Sequence, residues 1–207
     1  PNKFSIKKGI QFILRKFGVE LRDIDAPIHS FVRGLEILKK NIEPRTIIDI
    51  GVAHGTPHLY KTFPFSSYKY LLVEPSPVFE DYLIKLSSYV NVVVERVFCG
   101  QQNGEVFLNI YDDPHKSSKF EIIRKIPQIG RLKVPMRSLD FLIEKQKLPP
   151  PYLIKIDVEG AELEVLKGGV KLLDRAQAII TEVSITPLFI NGPELSDLIC
   201  FMKNYRF

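Results

Sequence analysis

Three short clusters of residues have the types and spacing that suit chemistry. The first is Asp49-Ile50-Gly51-Val52-Ala53-His54-Gly55-Thr56, a Gly-x-x-x-Gly turn that follows an apolar run. The second is Glu74-Pro75, which closes the run Leu71-Leu72-Val73 and begins 23 residues after Gly51. The third is Lys155-Ile156-Asp157-Val158-Glu159-Gly160-Ala161-Glu162, where charges arrive abruptly at the end of another apolar run. An acid ending a second strand is placed to accept hydrogen bonds from both hydroxyls of a ribose as a fork, so Glu74 points to an adenosine-type ligand. The glycine spacing differs from the Gly-x-Gly-x-x-Gly of a dinucleotide site, which aims a helix N-terminus at a pyrophosphate. It therefore argues against a nicotinamide dehydrogenase and for a ligand without phosphate. S-adenosylmethionine is such a ligand, and an acid at the strand end, Asp49, suits its cationic end directly or through water. Glycines at 51 and 55 would let the backbone approach the ligand and turn sharply.

Each cluster also has a plainer explanation. A tight strand-to-helix turn accounts for residues 51–55, and a surface acid before a turn accounts for Glu74. Helix capping by Asp157 or Glu159, with Glu162 in the first turn, accounts for part of the third cluster. None of these explains Lys155 inside a buried strand. In a weaker fourth cluster, Phe98 or Cys99 would flank an adenine face and Gln101 would bond its edge, although Cys99 reads equally as a small buried residue.

The elements that must position these groups follow from periodicity. Residues 4–17 carry Ile6, Ile10, Ile13, Leu14 and Phe17 at helical spacing. A second helix is expected over 30–41 with Phe31, Leu35 and Leu38 inward. Strands are expected at 46–50, 70–73, 91–95, 152–156 and 178–182, and helices at 78–86, from Ser138 to about 147, at 161–173 and at 193–203. Pro57 opens a short helix. Short added strands at 107–110 and 133–134 surround a polar loop over 115–131. The last helix should present Leu195, Leu198, Ile199 and Met202 on one face. This alternation predicts an α/β fold, a doubly wound and mostly parallel sheet with helices on both faces. Ligands of such sheets sit beyond the carboxyl ends of the strands, where the strand order reverses. Residues 1–44 are expected as a helical segment packing on a single domain at 45–207.

Here a family resemblance enters. Lys155-Ile-Asp-Val-Glu-Gly-Ala-Glu162, followed by Val165-Leu-Lys-Gly168, resembles the signature of the FkbM-type methyltransferases. The likeness runs over residues 45–182 and includes Ile48-Asp-Ile-Gly51 with Gly55, Val73-Glu-Pro75, Gly104 before a strand, and Val134-Pro-Met-Arg-Ser-Leu-Asp140. It implies a Rossmann-like class I methyltransferase fold, S-adenosylmethionine, and methylation usually of a hydroxyl oxygen. The implied acceptors are carbohydrates, polysaccharide units or small-molecule metabolites. Candidate cofactor contacts are Asp49, Gly51, Ala53, Gly55, Glu74, Pro75, Phe98, Cys99 and Asp157, with Asp157 facing the transfer centre. Many members have Ala-Asn after the first glycine where Val52-Ala53 stands here, and many carry an acid at the position of Gln101. A complete fold of this type adds a final strand hairpin, so the C-terminal strands are expected to be missing from a stretch that stops after its last helix.

Composition narrows the alternatives. Net charge is +5 with a pI near 9.1, which favours anionic partners without specifying one. Lys3, Lys7, Lys8, Arg15 and Lys16 occur with no acid among the first 17 residues. That pattern suits peripheral membrane contact, yet a helix packed on the domain with a solvated basic face is preferred. The two cysteines are not a disulfide scaffold, and a reducing, cytoplasmic setting is expected. No apolar run approaches the ~18–20 residues that span a bilayer. A nucleic-acid methyltransferase is the nearest rival, but Pro149-Pro150-Pro151-Tyr152 precedes its strand instead of following it, and no interleaved basic-aromatic platform is seen. A non-catalytic binding module with a degenerate methyltransferase fold is a further class.

In-line methyl transfer needs alignment, worth about 7–11 kcal/mol, and for a hydroxyl acceptor a base, worth roughly 10²–10⁴-fold. Asp157 is the first candidate base, followed by Glu159, His54 and Glu182, although His54 reads more simply as a loop histidine bonded to backbone. Asp157 and Glu182 also offer the oxygen ligands a divalent metal such as Mg²⁺ takes, as a minority reading. Asp157→Ala is expected to abolish turnover while cofactor binding persists; unchanged turnover would remove Asp157 from the mechanism.

Overall fold

Thr46–Ile50 is strand β1, fully buried along its length. The computed structural model describes residues 30–123, 125–205 and 207; the helix expected at 4–17 lies outside them. In chain order the other elements are α1 (Phe31–Asn41), α2 (Pro57–Thr62), β2 (Lys69–Val73), α3 (Glu80–Ser87), β3 (Val92–Glu95), β4 (Phe98–Gly100) and β5 (Gly104–Tyr111). They continue with β6 (Gln128–Ser138), α4 (Leu139–Gln146), β7 (Tyr152–Ile156), α5 (Glu162–Lys167), α6 (Val170–Leu173), β8 (Ala176–Thr181) and α7 (Leu195–Met202). Ser30 and Ser138 cap α1 and α4 by accepting from the N–H groups of Arg33 and Phe141, as short hydroxyl side chains do at helix starts.

The main sheet has the order β3-β2-β1-β7-β8 with every pair parallel. Strand order therefore reverses between β1 and β7. Alternation along the strands splits the core in two. Ile48, Ile50, Leu71, Val73, Ile154 and Ile156 pack with Leu139, Leu142, Val165 and Leu166 on one face. Ile47, Tyr70, Leu72 and Leu153 pack with Leu35, Leu59, Phe63 and Leu83 on the other. This is the doubly wound arrangement read from the sequence. Among the described residues no helix is long and apolar enough to cross a membrane.

Four details differ from expectation. Phe98–Gly100 is a strand, and it joins β6 and β5 in a second sheet of order β4-β6-β5. The two short added strands are in fact a long antiparallel pair over 104–111 and 128–138, so the polar loop shifts to 112–127. Charged residues on its exposed face had hidden its length. The helix expected over 161–173 breaks into α5 and α6 because Gly168 lies against Gly100; a Cβ there would stand 2.1 Å from the Gly100 carbonyl oxygen. Phe31 and Ile199, expected inward, are 41% and 45% exposed. Phe31 is the first residue of α1, at the rim of a cleft, and α7 packs Leu198 and Met202 on the core as expected, with Phe201 in place of Ile199.

Candidate functional site

The third cluster becomes intelligible through sheet register. β1 and β7 are parallel neighbours with Asp49 beside Lys155. Residues two apart on a strand share a face, so Asp157 follows Lys155 on the same side. The Lys155 Nζ stands 3.1 Å from Asp49 Oδ1 and 3.2 Å from Asp157 Oδ2, and it donates to the Gly51 carbonyl at 3.0 Å. Asp49 is fully buried. Its Oδ2 accepts from Thr56 Oγ1 at 2.9 Å and Tyr60 Oη at 2.7 Å, while Oδ1 has no aligned hydrogen-bond donor and faces the ammonium as an ion pair. Burial pushes the Lys155 ammonium down, but the Asp49 and Asp157 carboxylates outweigh it and hold its pKa above the usual lysine value. Burial and the Asp49 carboxylate likewise drive the Tyr60 phenol upward. Both Asp49 oxygens thus face protein groups, Oδ2 toward Thr56 and Tyr60 and Oδ1 toward Lys155, and the same ammonium reaches Asp157.

Beyond the carboxyl ends of β1 and β2 lies a cleft of about 690 Å³. Gly51, Ala53, Glu74, Pro75, Phe98, Cys99, Asp157 and Glu159 all line it, together with Val73, Ser76, Phe79, Val97 and His115. Glu74 is buried. Its Oε2 accepts from the Ala53 N–H and its Oε1 from the Ser76 N–H, both at 2.9 Å, which leaves lone-pair capacity on each oxygen. Burial raises its pKa, against the opposing pull of those two N–H groups and of Lys155. The Ala53 bond also holds that alanine at φ +45°, a conformation non-glycine residues avoid. Gly51, at φ +80°, answers to the protein as well: a Cβ would sit 1.7 Å from the Asp157 carbonyl oxygen. The tight turn is therefore demanded by the β7 loop itself. Cys99 is buried, and burial pushes its thiol up. Gln101 is exposed and does not line the cleft, so the expected adenine-edge contact is withdrawn; β4 ends at Gly100 and carries the chain outward.

A second cleft of about 1020 Å³ adjoins the first and shares Gly51, Ala53, His115 and Asp157 with it. Asp157, Glu159 and Glu182 each bring a carboxylate oxygen within 4.8 Å of the others. Glu159, at φ +51°, is held by Lys116 Nζ at 2.6 Å and by Ser118 Oγ donating to its carbonyl at 2.6 Å. Hydrogen bonding to Asp157, then burial, pushes Glu182 up to about 7. The Asp157 carboxylate beside it is thus the main reason Glu182 keeps its proton to higher pH than a free carboxyl. A divalent ion on this triad would have to displace Lys155 from Asp157 and Lys116 from Glu159. Among the described residues the His54 ring makes no bond to backbone, contrary to expectation; its Nδ1 lies 3.1 Å from His115 Nε2, and both rings pack on Phe79.

Two contributors escaped the sequence reading, and a third, Glu162, was read there only as an acid in the first turn of a helix. Glu162 is buried and its Oε1 accepts from the Val158 and Gly160 N–H groups at 3.2 and 3.1 Å, so it ties the loop that carries Asp157 and Glu159. Its position after Gly160 was the available signal. His115 and Lys116 come from the 112–127 loop, which carries no local pattern.

A parallel sheet with a cleft at its switch point and an acid ending the second strand is the architecture of Rossmann-like methyltransferases. Residues 49–207 match the methyltransferase FkbM domain, and the chain belongs to that family. It is also similar to the hexuronic acid methyltransferase AglP of Haloferax volcanii, at 39% identity over 59 residues. That stretch covers 28% of this chain and 25% of AglP. No solved structure matches the chain significantly.

Removing Lys155 leaves the Asp49 charge buried and alone, a loss of about 3–5 kcal/mol. Lys155→Met is expected to lower unfolding free energy by that order in urea titration, and Asp49→Asn with Lys155→Met to recover much of it. A single-variant cost below about 1 kcal/mol would match an exposed pair instead.

Proposed function

We propose that the chain transfers the methyl group of S-adenosylmethionine to a hydroxyl oxygen, with a carbohydrate as the acceptor class. One observation carries the cofactor: the first cleft is lined by Glu74, Asp157 and Glu159 and by no lysine or arginine among the described residues. A phosphate-bearing ligand needs donors or cations there. A phosphate-free cation bearing a ribose needs the opposite, and this lining fits it. Glu74 would take the ribose hydroxyls on its remaining lone pairs, while Val73, Val97, Phe98 and Cys99 provide apolar walls for a base. Bound there, S-adenosylmethionine supplies an activated methyl group on a sulfonium leaving group.

The chain's own residues then do three things. The Gly51–Thr56 turn and Glu74 bind and orient. Lys155 fixes Asp157 at the junction of the two clefts. The Asp157–Glu182 pair takes up the hydroxyl proton as the acceptor oxygen attacks. Membership of a methyltransferase family supports the reaction class, and the name of AglP supports a sugar acceptor.

Calorimetry with S-adenosylmethionine tests the reading. Glu74→Gln puts an amide NH₂ against either the Ala53 or the Ser76 N–H and removes a charged acceptor. Affinity should fall roughly 10–100-fold; no binding to the unaltered chain would sink the proposal. A second outcome concerns pH. Below about 7 Glu182 already holds its proton and cannot take up another. Methyl transfer should therefore rise with pH through that value and level off above it, and Glu182→Gln should move the rising limb to lower pH. A flat profile would remove the pair from proton transfer.

A further inference from the structure

Beyond the Asp157–Glu182 pair and the Gly51–Thr56 turn, the second cleft has no role in the proposed reaction so far. It opens beyond the carboxyl ends of β7 and β8 and is chemically two-ended. Asp157 and Glu182 line it together with Lys155, whose ammonium lies between Asp157 and Asp49. His54 and His58, from the β1–α2 turn and the first turn of α2, line it as well. All three described histidines, His115 included, reach this one space, and the chain has four in all. Both His54 and His58 are exposed, and among the described residues the His58 ring makes no hydrogen bond to another side chain or to backbone. Phe31 stands at the rim, 41% exposed, on the first turn of α1.

We propose that this cleft is the acceptor site and that it takes a glycoside bearing a carboxylate. The inference rests on the methyl-transfer reading and adds the acceptor's place and charge. Carboxylates accept hydrogen bonds from sugar hydroxyls, and an exposed aromatic face suits the apolar C–H face of a pyranose. The cleft's charges then set the ligand's direction. The Lys155 ammonium is already taken up by Asp49, Asp157 and the Gly51 carbonyl, so an anionic substituent meets carboxylate charge on that side and is drawn instead to the imidazole N–H donors of His54 and His58. The same polarity turns a hydroxyl toward Asp157, at the border with the cofactor cleft. A neutral sugar would leave the histidine wall without a charged partner. A cationic sugar would be drawn to the acidic wall and would bury its ammonium where the hydroxyl belongs.

The test is a binding series of matched charge, followed by NMR on the full chain saturated with S-adenosylhomocysteine. The probes are methyl glucuronoside, methyl glucoside and methyl glucosaminide. The glucuronoside should bind roughly tenfold tighter than the glucoside, with the glucosaminide no better than the glucoside. In His54→Gln with His58→Gln the preference for the glucuronoside should disappear. Equal binding of the first two probes, no binding of the glucuronoside, stronger binding of the glucosaminide, or a preference that survives the double substitution would each overturn the inference. S-adenosylhomocysteine affinity is read in the same samples. If it is absent from the unaltered chain, the cofactor reading fails; if it is present and the sugar preference is absent, only the acceptor assignment fails.

Discussion

The ammonium of Lys155 is the point on which the site depends. It is buried between two carboxylates and a carbonyl, and each partner belongs to a different part of the machinery. Asp49 anchors β1 and the start of α2 through Thr56 and Tyr60. Gly51 begins the turn that borders both clefts. Asp157 is the acid at their junction. A buried charge without partners is expensive, and a buried pair with one partner removed more so. The cost keeps the three partners together and gives β1 and β7 a fixed register where the sheet's winding reverses.

Around that centre the chain accepts strained backbone. Ala53 and Glu159 both have positive φ, and each is held by bonds from elsewhere. Glu74 holds the first. Lys116 and Ser118 hold the second from a loop more than forty residues upstream. Strain of this kind persists where surrounding structure over-determines it, and it gathers at functional sites. Glu162 adds a further restraint, so the Asp157–Glu159 loop is fixed from below by a buried acid and from above by the 112–127 segment.

The parallel strands were legible because each is a continuous apolar run between turn signals; β1 and β7 have the expected bounds at both ends. Glu74 and the glycine turn were legible by spacing. The antiparallel pair β5–β6 was only half visible, since its outer face carries Glu105, Asn109, Arg131 and Lys133 among its apolar residues. Lys155 announced itself as an anomaly in a buried strand, but its role needed the register with β1, which no single segment encodes. The inward partners of Asp49, Thr56 and Tyr60, were not legible because sequence gives proximity to a turn and not the direction of a side chain. His115 and Lys116 could not be anticipated, since a loop crossing from another sheet leaves no periodic trace.

The contact between Gly168 and the Gly100 backbone joins the smaller sheet to the helix just behind the Asp157 loop, at a spot where no side chain fits. That joint behaves as a rivet. The segment over 112–127 leaves the smaller sheet elsewhere, at the end of β5, brings His115 to the clefts and Lys116 to Glu159, and pairs through Ile122 with Phe189, so the residues that face a ligand lie apart from the seam. Diversity in what the fold accepts and constancy in how it is assembled are thereby assigned to separate stretches of one chain.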